Sequence, residues 1–473
     1  MRTRRSHAAL LALLALALAP GPALGQGASE GGPADPLLAR LVEESLAARP
    51  ELRQAEAAER AERERVPQAG ALPDPVLSLG IQNDGFERIQ IGEMESSYYQ
   101  VMLSQGLPWP GKRGLRTDVA RLAAGQAEAA VARARLSTEA DVRRAYLDLL
   151  VARDRLSLLA RLEALWQKSA GVARARYEAG EGAQSDVLRA QLELNRLRQR
   201  RWSLEAEARV GVQTLNRLRA RPLDEPIPTT ASVRSQGLPP VPDAEAALAD
   251  ALARSPELAL ARLGASRAEK QVALARRERF PDLSVNAGVM PRGDLEPMWQ
   301  AGVSIGLPIW SGRKQSRAVA ESEARAAGDQ LAADAVEQIL RLRVAERRLA
   351  LQALAETVRL YREGLLVQSQ ATADSTLAQY RVGKVTFASV LDANAGLVGD
   401  EEGYLLALAD AQRIAIASAE VTLEPVGIAG AGGAMGGASI PGAGGAGGAR
   451  AGSSAAAGAP AAAASSSSMP SGM

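Results

Sequence analysis

The chain carries two hydrophobic rhythms, and each of them appears twice. Leu77, Leu79 and Ile81 alternate with Ser78, Gly80 and Gln82, and Tyr99, Val101 and Leu103 alternate with Gln100, Met102 and Ser104. Further on, Leu283, Val285, Ala287 and Val289 alternate with Ser284, Asn286, Gly288 and Met290. Trp299, Ala301, Val303, Ile305 and Leu307 then alternate with Gln300, Gly302, Ser304 and Gly306. A period of two with one apolar and one small or polar face predicts strands, over about residues 75–84, 97–107, 282–290 and 298–307. Each has roughly the 8–11 residues that a tilted strand needs to cross a bilayer. A soluble hairpin with one face on a core would alternate in the same way. Tyr98, Tyr99, Trp109, Trp299 and Trp310 lie in or beside these strands, where interfacial aromatics sit, and they favour the membrane.

The second rhythm is helical. Neither Arg113 to about Tyr177 nor Arg313 to about Tyr380 contains a proline. At ~1.5 Å per residue, helices of that length would reach roughly 100 Å. Val142, Ala145, Leu149, Ala152, Leu156 and Leu159 recur at spacings of three and four, as do Leu354, Val358, Tyr361 and Leu365. Such a seam predicts side-by-side coiled packing, with arginine and glutamate on the outer faces. Returning helices are predicted over about residues 185–219 and 388–423, each entered through a turn that contains glycine.

These patterns belong to an internal duplication. Arg49-Pro50-Glu51-Leu52 recurs as Ser255-Pro256-Glu257-Leu258, and Leu72-Pro73-Asp74 as Phe280-Pro281-Asp282. Gly106-Leu107-Pro108 recurs as Gly306-Leu307-Pro308, and Tyr177-Glu178-Ala179-Gly180 as Tyr380-Arg381-Val382-Gly383. Four matches in the same order, each displaced by about 200 residues, indicate two similar subdomains rather than a solenoid of short units. The expected halves are residues 26–219 and 220–424. Each reads helix, strand, strand, long helix, turn, returning helix. Segments from about Asp35 to Val66 and from about Ala220 to Arg279 are expected to form a belt around the helices. Pro108 and Pro308 each remove a ladder donor and should end a strand, while Gly111 and Gly312 supply backbone freedom at the helix entrances. The loops Asp84–Ser97 and Pro291–Pro297 would lie at the opposite end of the strands from the long helices.

Composition narrows the chemistry. The chain has no cysteine and a single histidine, His7. His7 falls within residues 1–25, which read as a secretory signal peptide: Arg2, Arg4 and Arg5, an apolar run from Ala8 to Ala19, then Ala23-Leu24-Gly25. That leaves no Ser-His-Asp triad, no thiol nucleophile and no ordinary zinc site, so no metal site and no cofactor is expected. The chain has 56 basic and 54 acidic residues, a balance that gives no case for nucleic acid. No apolar stretch after residue 25 is long enough for a spanning helix, so membrane insertion must use strands. Four strands cannot close a barrel and open edges are not tolerated in lipid, so the chain must oligomerise. Residues 425–473 are Gly, Ala and Ser with scattered Pro and Met, and are expected to be disordered.

From about Asp35 to Leu423 the chain resembles the TolC family of outer-membrane factors. Two junctions carry the likeness: Leu107-Pro108-Trp109-Pro110-Gly111-Lys112-Arg113 and Leu307-Pro308-Ile309-Trp310-Ser311-Gly312-Arg313. They resemble the family's barrel-to-tunnel junctions, with Pro108, Pro110, Gly111, Pro308 and Gly312 at the key positions. The returning-helix starts Tyr177…Gly180…Asp186-Val187-Leu188 and Tyr380…Gly383…Val390-Leu391-Asp392-Ala393 resemble its periplasmic tips. The resemblance implies an α+β membrane protein: a homotrimer with a twelve-stranded β-barrel, four strands per protomer, and a coiled-coil helical tunnel. It would lie in the outer membrane, in contact with outer-membrane lipid, and extend into the periplasm. It would act as a passive export duct. Its implied partners are a periplasmic adaptor and an inner-membrane pump of the RND or ABC type. Gly180 and Gly383 fall at the implied adaptor-docking tips, and Asp392, Asp186 and Tyr380 at the implied gate. Arg189 is the repeat counterpart of Asp392. At Val385 some relatives carry a basic residue, so one latch contact would be missing here.

Three other readings compete with an efflux duct. A type I protein secretion channel would share the architecture. A periplasmic adaptor would need one helical hairpin flanked by compact β domains, not two full repeats. A secreted enzyme would need paired carboxylates, and no pair stands out from the helical charge pattern. On cargo, Leu72-Pro73-Asp74-Pro75 and Pro110-Gly111-Lys112-Arg113 look more like the heavy-metal-efflux branch than the protein-secretion branch. Met94, Met102, Met290 and Met298 lie near the barrel, where packing is the ordinary role of a thioether.

Overall fold

The computed structural model describes residues 35–425. The signal peptide expected at residues 1–25 and nearly all of the tail expected at 425–473 lie outside that range. The first repeat runs α1 (Pro36–Ala48), α2 (Pro50–Gly70), β1 (Val76–Gln82), β2 (Tyr98–Leu107), α3 (Lys112–Glu178) and α4 (Gln184–Leu218). The second runs α5 (Val233–Gln236), α6 (Ala244–Arg254), α7 (Pro256–Arg277), β3 (Leu283–Arg292) and β4 (Leu295–Ile305). It continues with α8 (Gln315–Leu360), a π-helical turn (Tyr361–Leu365), α9 (Leu366–Arg381) and α10 (Phe387–Glu420).

The strands form one antiparallel sheet in the order β1-β2-β3-β4. Its register sorts the side chains into two faces. Leu79, Val101, Val289 and Trp299 make one continuous row, and Leu77, Leu103, Ala287 and Ala301 the next. Ser78, Met102, Gly288 and Gln300 line the opposite face. The first face is open: Leu79 is 73% exposed and Val303 65%. A continuous apolar face with no protein against it is what lipid requires of a barrel strand. No helix among the described residues is long and apolar enough to cross a membrane.

The 67 residues of α3 form one uninterrupted helix. Val142, Tyr146, Leu149 and Leu150 on α3 pack with Leu215 of α4, Leu354 of α8 and Leu408 and Ile414 of α10 into the largest core. Charged clamps tie the same level together. The 3%-exposed Glu420 carboxylate accepts from Arg133 at 2.9 Å and from Arg144, and Glu402 from Arg155 at 3.2 Å and from Arg200.

Several sequence expectations need correction. The loop expected over Pro291–Pro297 shrinks to Gly293-Asp294, because Gly293 takes φ +64° and turns the chain tightly. Pro291 is accommodated at the register shift between Met290 and Arg292. The helix expected from Arg313 to Tyr380 starts at Gln315 and passes through one π-helical turn before ending at Arg381. Gly111 enters α3 with φ +92°, but Gly312 has no positive φ, so only the first junction uses a glycine's freedom. β4 also ends at Ile305, ahead of Pro308. Helices α2 and α7, expected in the belt, pack instead along α3 and α8 and lead into β1 and β3. Their 21 and 22 residues span roughly 30 Å each, long enough to form wall rather than belt.

Candidate functional site

The two helical tips share one backbone design. In the first, Gly180 N–H donates to Tyr177 O at 3.0 Å and Glu181 N–H to Arg176 O at 2.9 Å. In the second, Gly383 N–H donates to Tyr380 O and Lys384 N–H to Gln379 O, both at 3.0 Å. This paired pattern is the Schellman termination, which satisfies the last carbonyls of a helix and requires a left-handed residue after it. Gly180 takes φ +77° and Gly383 +76°.

Side chains then join the tips. The Tyr380 hydroxyl donates to Asp186 Oδ2 at 3.0 Å, linking the end of α9 to the first turn of α4. An acidic group in a first turn also faces the positive end of its helix. Arg176 Nη1 donates to Tyr380 O at 2.7 Å and Nη2 to Glu181 O at 3.1 Å, while the guanidinium sits 4.8 Å from the Tyr380 ring centroid. Tyr380 is 2% exposed and packs with Ala173, Ala190, Leu377, Phe387 and Val390. Burial and the Asp186 carboxylate push its phenol up to about 12. Val385 packs against the same apolar cluster. A groove of about 310 Å³ between the turns is bordered by Arg176, Asp186, Arg189, Tyr380 and Gly383.

Tyr380 and Asp186 are therefore brought into contact, and Gly180 and Gly383 cap adjacent turns. Asp392 stands apart: it is exposed on α10, and its carboxylate has no hydrogen-bond or ion-pair partner among the described residues. Arg176 was missed by the sequence reading. It lies one residue before the repeated Tyr177, where the second repeat has Gln379, so an asymmetry in the tip motif was the available signal.

The first strand-to-helix junction is a built clasp. Lys112, with a side chain only 4% exposed, donates from Nζ to Asp282 Oδ1 at 2.7 Å and to Phe280 O at 2.8 Å. Asp282 Oδ1 also accepts from Trp109 N–H at 2.8 Å, and the Trp109 and Phe280 rings stack at 5.5 Å. Partial burial pushes the Asp282 carboxyl up, but the Lys112 ammonium and the Trp109 N–H outweigh it and hold the group below its ordinary value. The clasp's contribution to stability is thus complete above the ordinary carboxylate range and lost as pH falls through the lowered value. At the second junction Pro308, Ile309, Trp310, Gly312 and Arg313 reach no such partner, and Trp310 is 67% exposed. Among the described residues no group of three or more His, Cys, Asp or Glu side chains is placed to hold a metal ion.

A duplicated helix–hairpin–helix unit with an unsheltered apolar sheet is matched by one family model, outer membrane efflux protein, over residues 41–220 and 247–420. The chain belongs to the outer membrane efflux protein family. The two matched blocks correspond to the two repeats. Among relatives, the cobalt-zinc-cadmium resistance protein CzcC of Cupriavidus metallidurans is 26% identical over 302 residues, covering 62% of this chain and 70% of that one. The fold superposes on the outer membrane protein VceC of Vibrio cholerae with TM-score 0.69 and 17% identity, over 82% of this chain and 97% of that one. It superposes on CusC, a transmembrane channel, with TM-score 0.68 and 16% identity, over 82% and 92%. The chain is an outer-membrane efflux channel protein, a transporter and not an enzyme, of a family whose members are trimeric and work with adaptors and inner-membrane pumps.

Proposed function

We propose that this protein is the outer-membrane duct of a tripartite heavy-metal efflux system, held shut at its helical tips and opened by an adaptor. Three protomers supply twelve strands, and the duct is driven by an inner-membrane pump of the RND or ABC type. Similarity to CzcC supports a divalent-cation cargo. The observation that carries the gate is the Tyr380–Asp186 hydrogen bond reinforced by Arg176. It ties the second repeat's hairpin to the first repeat's returning helix at the point furthest from the sheet. An adaptor's helical hairpin would dock on the turns at Gly180 and Gly383, where the backbone is exposed.

Asp392 supplies selectivity in this reading. Its carboxylate is exposed and unpaired among the described residues of one protomer. Three copies converging on a common axis would raise one another's pKa and attract cations, forming a cation-selective ring. In planar bilayers, Asp392→Asn is expected to weaken block by divalent and trivalent cations and to lower cation selectivity. Wild-type block and selectivity in that variant would remove Asp392 from the pore. Loss of cobalt, zinc or cadmium tolerance in cells lacking the protein checks the cargo. Unchanged tolerance to all three would exclude it.

A further inference from the structure

The sheet ends at two open edges, β1 and β4, and the second junction lacks the clasp that completes the first. We infer that a second copy of this chain fills both vacancies at once, in a register fixed by the internal duplication. This inference rests on the trimeric reading above and adds which residues meet.

The register follows from two alignments. Leu72-Pro73-Asp74…Gly80 matches Phe280-Pro281-Asp282…Gly288, which places β1 on β3. Tyr99-Gln100…Ser104…Gly106-Leu107-Pro108 matches Trp299-Gln300…Ser304…Gly306-Leu307-Pro308, which places β2 on β4. The structure tests this equivalence independently. The pair Leu77↔Leu103 in the first hairpin becomes Val285↔Val303, and that pair is present in the second. The contact between the repeats is β2 on β3, with Val101↔Val289 and Leu103↔Ala287. Carried forward, it sets β4 of one protomer on β1 of the next, with Ala301 opposite Ile81, Val303 opposite Leu79 and Ile305 opposite Leu77.

Three features of the molecule agree with that register. Every pair keeps apolar side chains on the lipid face, which a one-residue slip would destroy. The opposite face then pairs Gly302 with Gly80 and Ser304 with Ser78, small against small. Crossing one protomer from Leu77 leads by paired residues to Leu103, Ala287 and Ala301, and so to Ile81 of the next copy. That advance of four residues over four strands inclines the strands by roughly 35° for a 3.3 Å rise and 4.8 Å spacing, within the range of closed barrels.

The same operation completes the second junction. Asp282 becomes Asp74, Phe280 becomes Leu72, and the helix-entry pair Gly111-Lys112 becomes Gly312-Arg313. Asp74, Leu72, Trp310 and Arg313 are all exposed, and neither Asp74 nor Arg313 has an ion-pair partner among the described residues. In the assembled ring Arg313 of one copy would hold Asp74 of the next, with Trp310 covering Leu72. The absence of a positive φ at Gly312 and the one extra residue in this junction fit a longer guanidinium arm in place of the Lys112 ammonium.

The cysteine-free chain makes the test clean. Directly opposed strand residues lie about 4.5–5.5 Å apart between Cα atoms, within disulfide range, whereas diagonal neighbours lie about 7–8 Å apart. The full chain carrying Leu79→Cys with Val303→Cys, oxidised in outer membranes, should run as a covalent trimer that reductant dissolves. Leu79→Cys with Ile305→Cys, or with Ala301→Cys, should cross-link at least several-fold less. Preferential cross-linking of either shifted pair overturns the register while leaving the trimer intact. No heat-modifiable trimer from the unsubstituted chain would instead overturn the trimeric reading. For the clasp, Asp74→Arg and Arg313→Asp should each lower trimer yield several-fold and together restore it. Equal yield in all four proteins overturns the clasp.

Discussion

The two repeats end their helices alike and begin them differently. Both tips are closed by a glycine at φ near +77°, with the same pair of backbone hydrogen bonds. At the barrel end, one junction is clasped by a 4%-exposed lysine inside its own protomer, and the other stands open. Backbone terminations depend only on local sequence, so duplication preserved them. Clasps depend on what lies beside them, and the two junctions have different neighbours: the first faces the second repeat, whereas the second follows the open edge strand β4, where the proposed ring would set another copy. Backbone terminations held through the duplication, while side chains diverged with their surroundings, at the tips (Arg176 against Gln379) as well as at the junctions.

That contrast can be broken most forcefully in the sheet, where the repeats are expected to behave alike. Leu103→Lys and Val303→Lys occupy equivalent lipid-facing positions, and each should cost about 2–4 kcal/mol near the midplane of a barrel. Both should abolish heat-modifiable trimers in outer-membrane extracts, whereas Ser304→Lys should be tolerated. Equal tolerance at Val303 and Ser304 would refute a lipid-facing sheet.

At the tips a smaller, unequal effect is expected. A side chain at either left-handed glycine costs about 1–2 kcal/mol of backbone strain. A Cβ on Gly383 would also meet Arg176 Nη2 at 3.2 Å, while Gly180 has open space around it. Gly383→Ala should therefore impair export more than Gly180→Ala, with trimer yield unchanged in both. The reverse order in a metal-tolerance assay would show that Arg176 plays no part.

The smallest effect is a titration. The Tyr380 phenol titrates ordinarily near 10 and is raised to about 12 in the folded chain. Its hydrogen bond to Asp186 therefore contributes fully below pH 10 and is lost between pH 10 and about 12. Single-channel conductance should rise across that window, and Tyr380→Phe should be open already at neutral pH. Identical pH profiles for the two proteins would place the latch elsewhere.

Much of this was legible in the sequence because it was written in periods and turn residues. Alternation located all four strands, and freedom from proline located α3 to within a residue at each end. Gly180, Gly383, Asp186 and Tyr380 were found through the repeated tip motif. What stayed hidden depends on pairing across space. Lys112 and Asp282 each sat in a quoted motif, yet nothing in either motif says that they meet. Arg176 looked like one more arginine on a helix rich in them. Gly312 was given Gly111's role by analogy, but φ is set by the local path, and the extra residue at that junction supplies another path.

The π-helical turn at Tyr361–Leu365 has a consequence for which side of the helix faces inward. Above it the buried positions are Leu351, Leu354 and Val358; below it they are Ala373, Leu377 and Tyr380. Continuing the upper spacing of three and four would reach 372 and 379, one residue short of Ala373 and Tyr380. A π turn accommodates one residue more than an α-helical turn, which slips the phase of everything below it by roughly 100°. The bulge therefore acts as a phase adjuster. It lets one continuous rod obey the packing of the core at its upper end and still aim a tyrosine at Asp186 at its lower end. The uninterrupted α3 carries no such adjuster, and its tip residue Tyr177 is left 46% exposed.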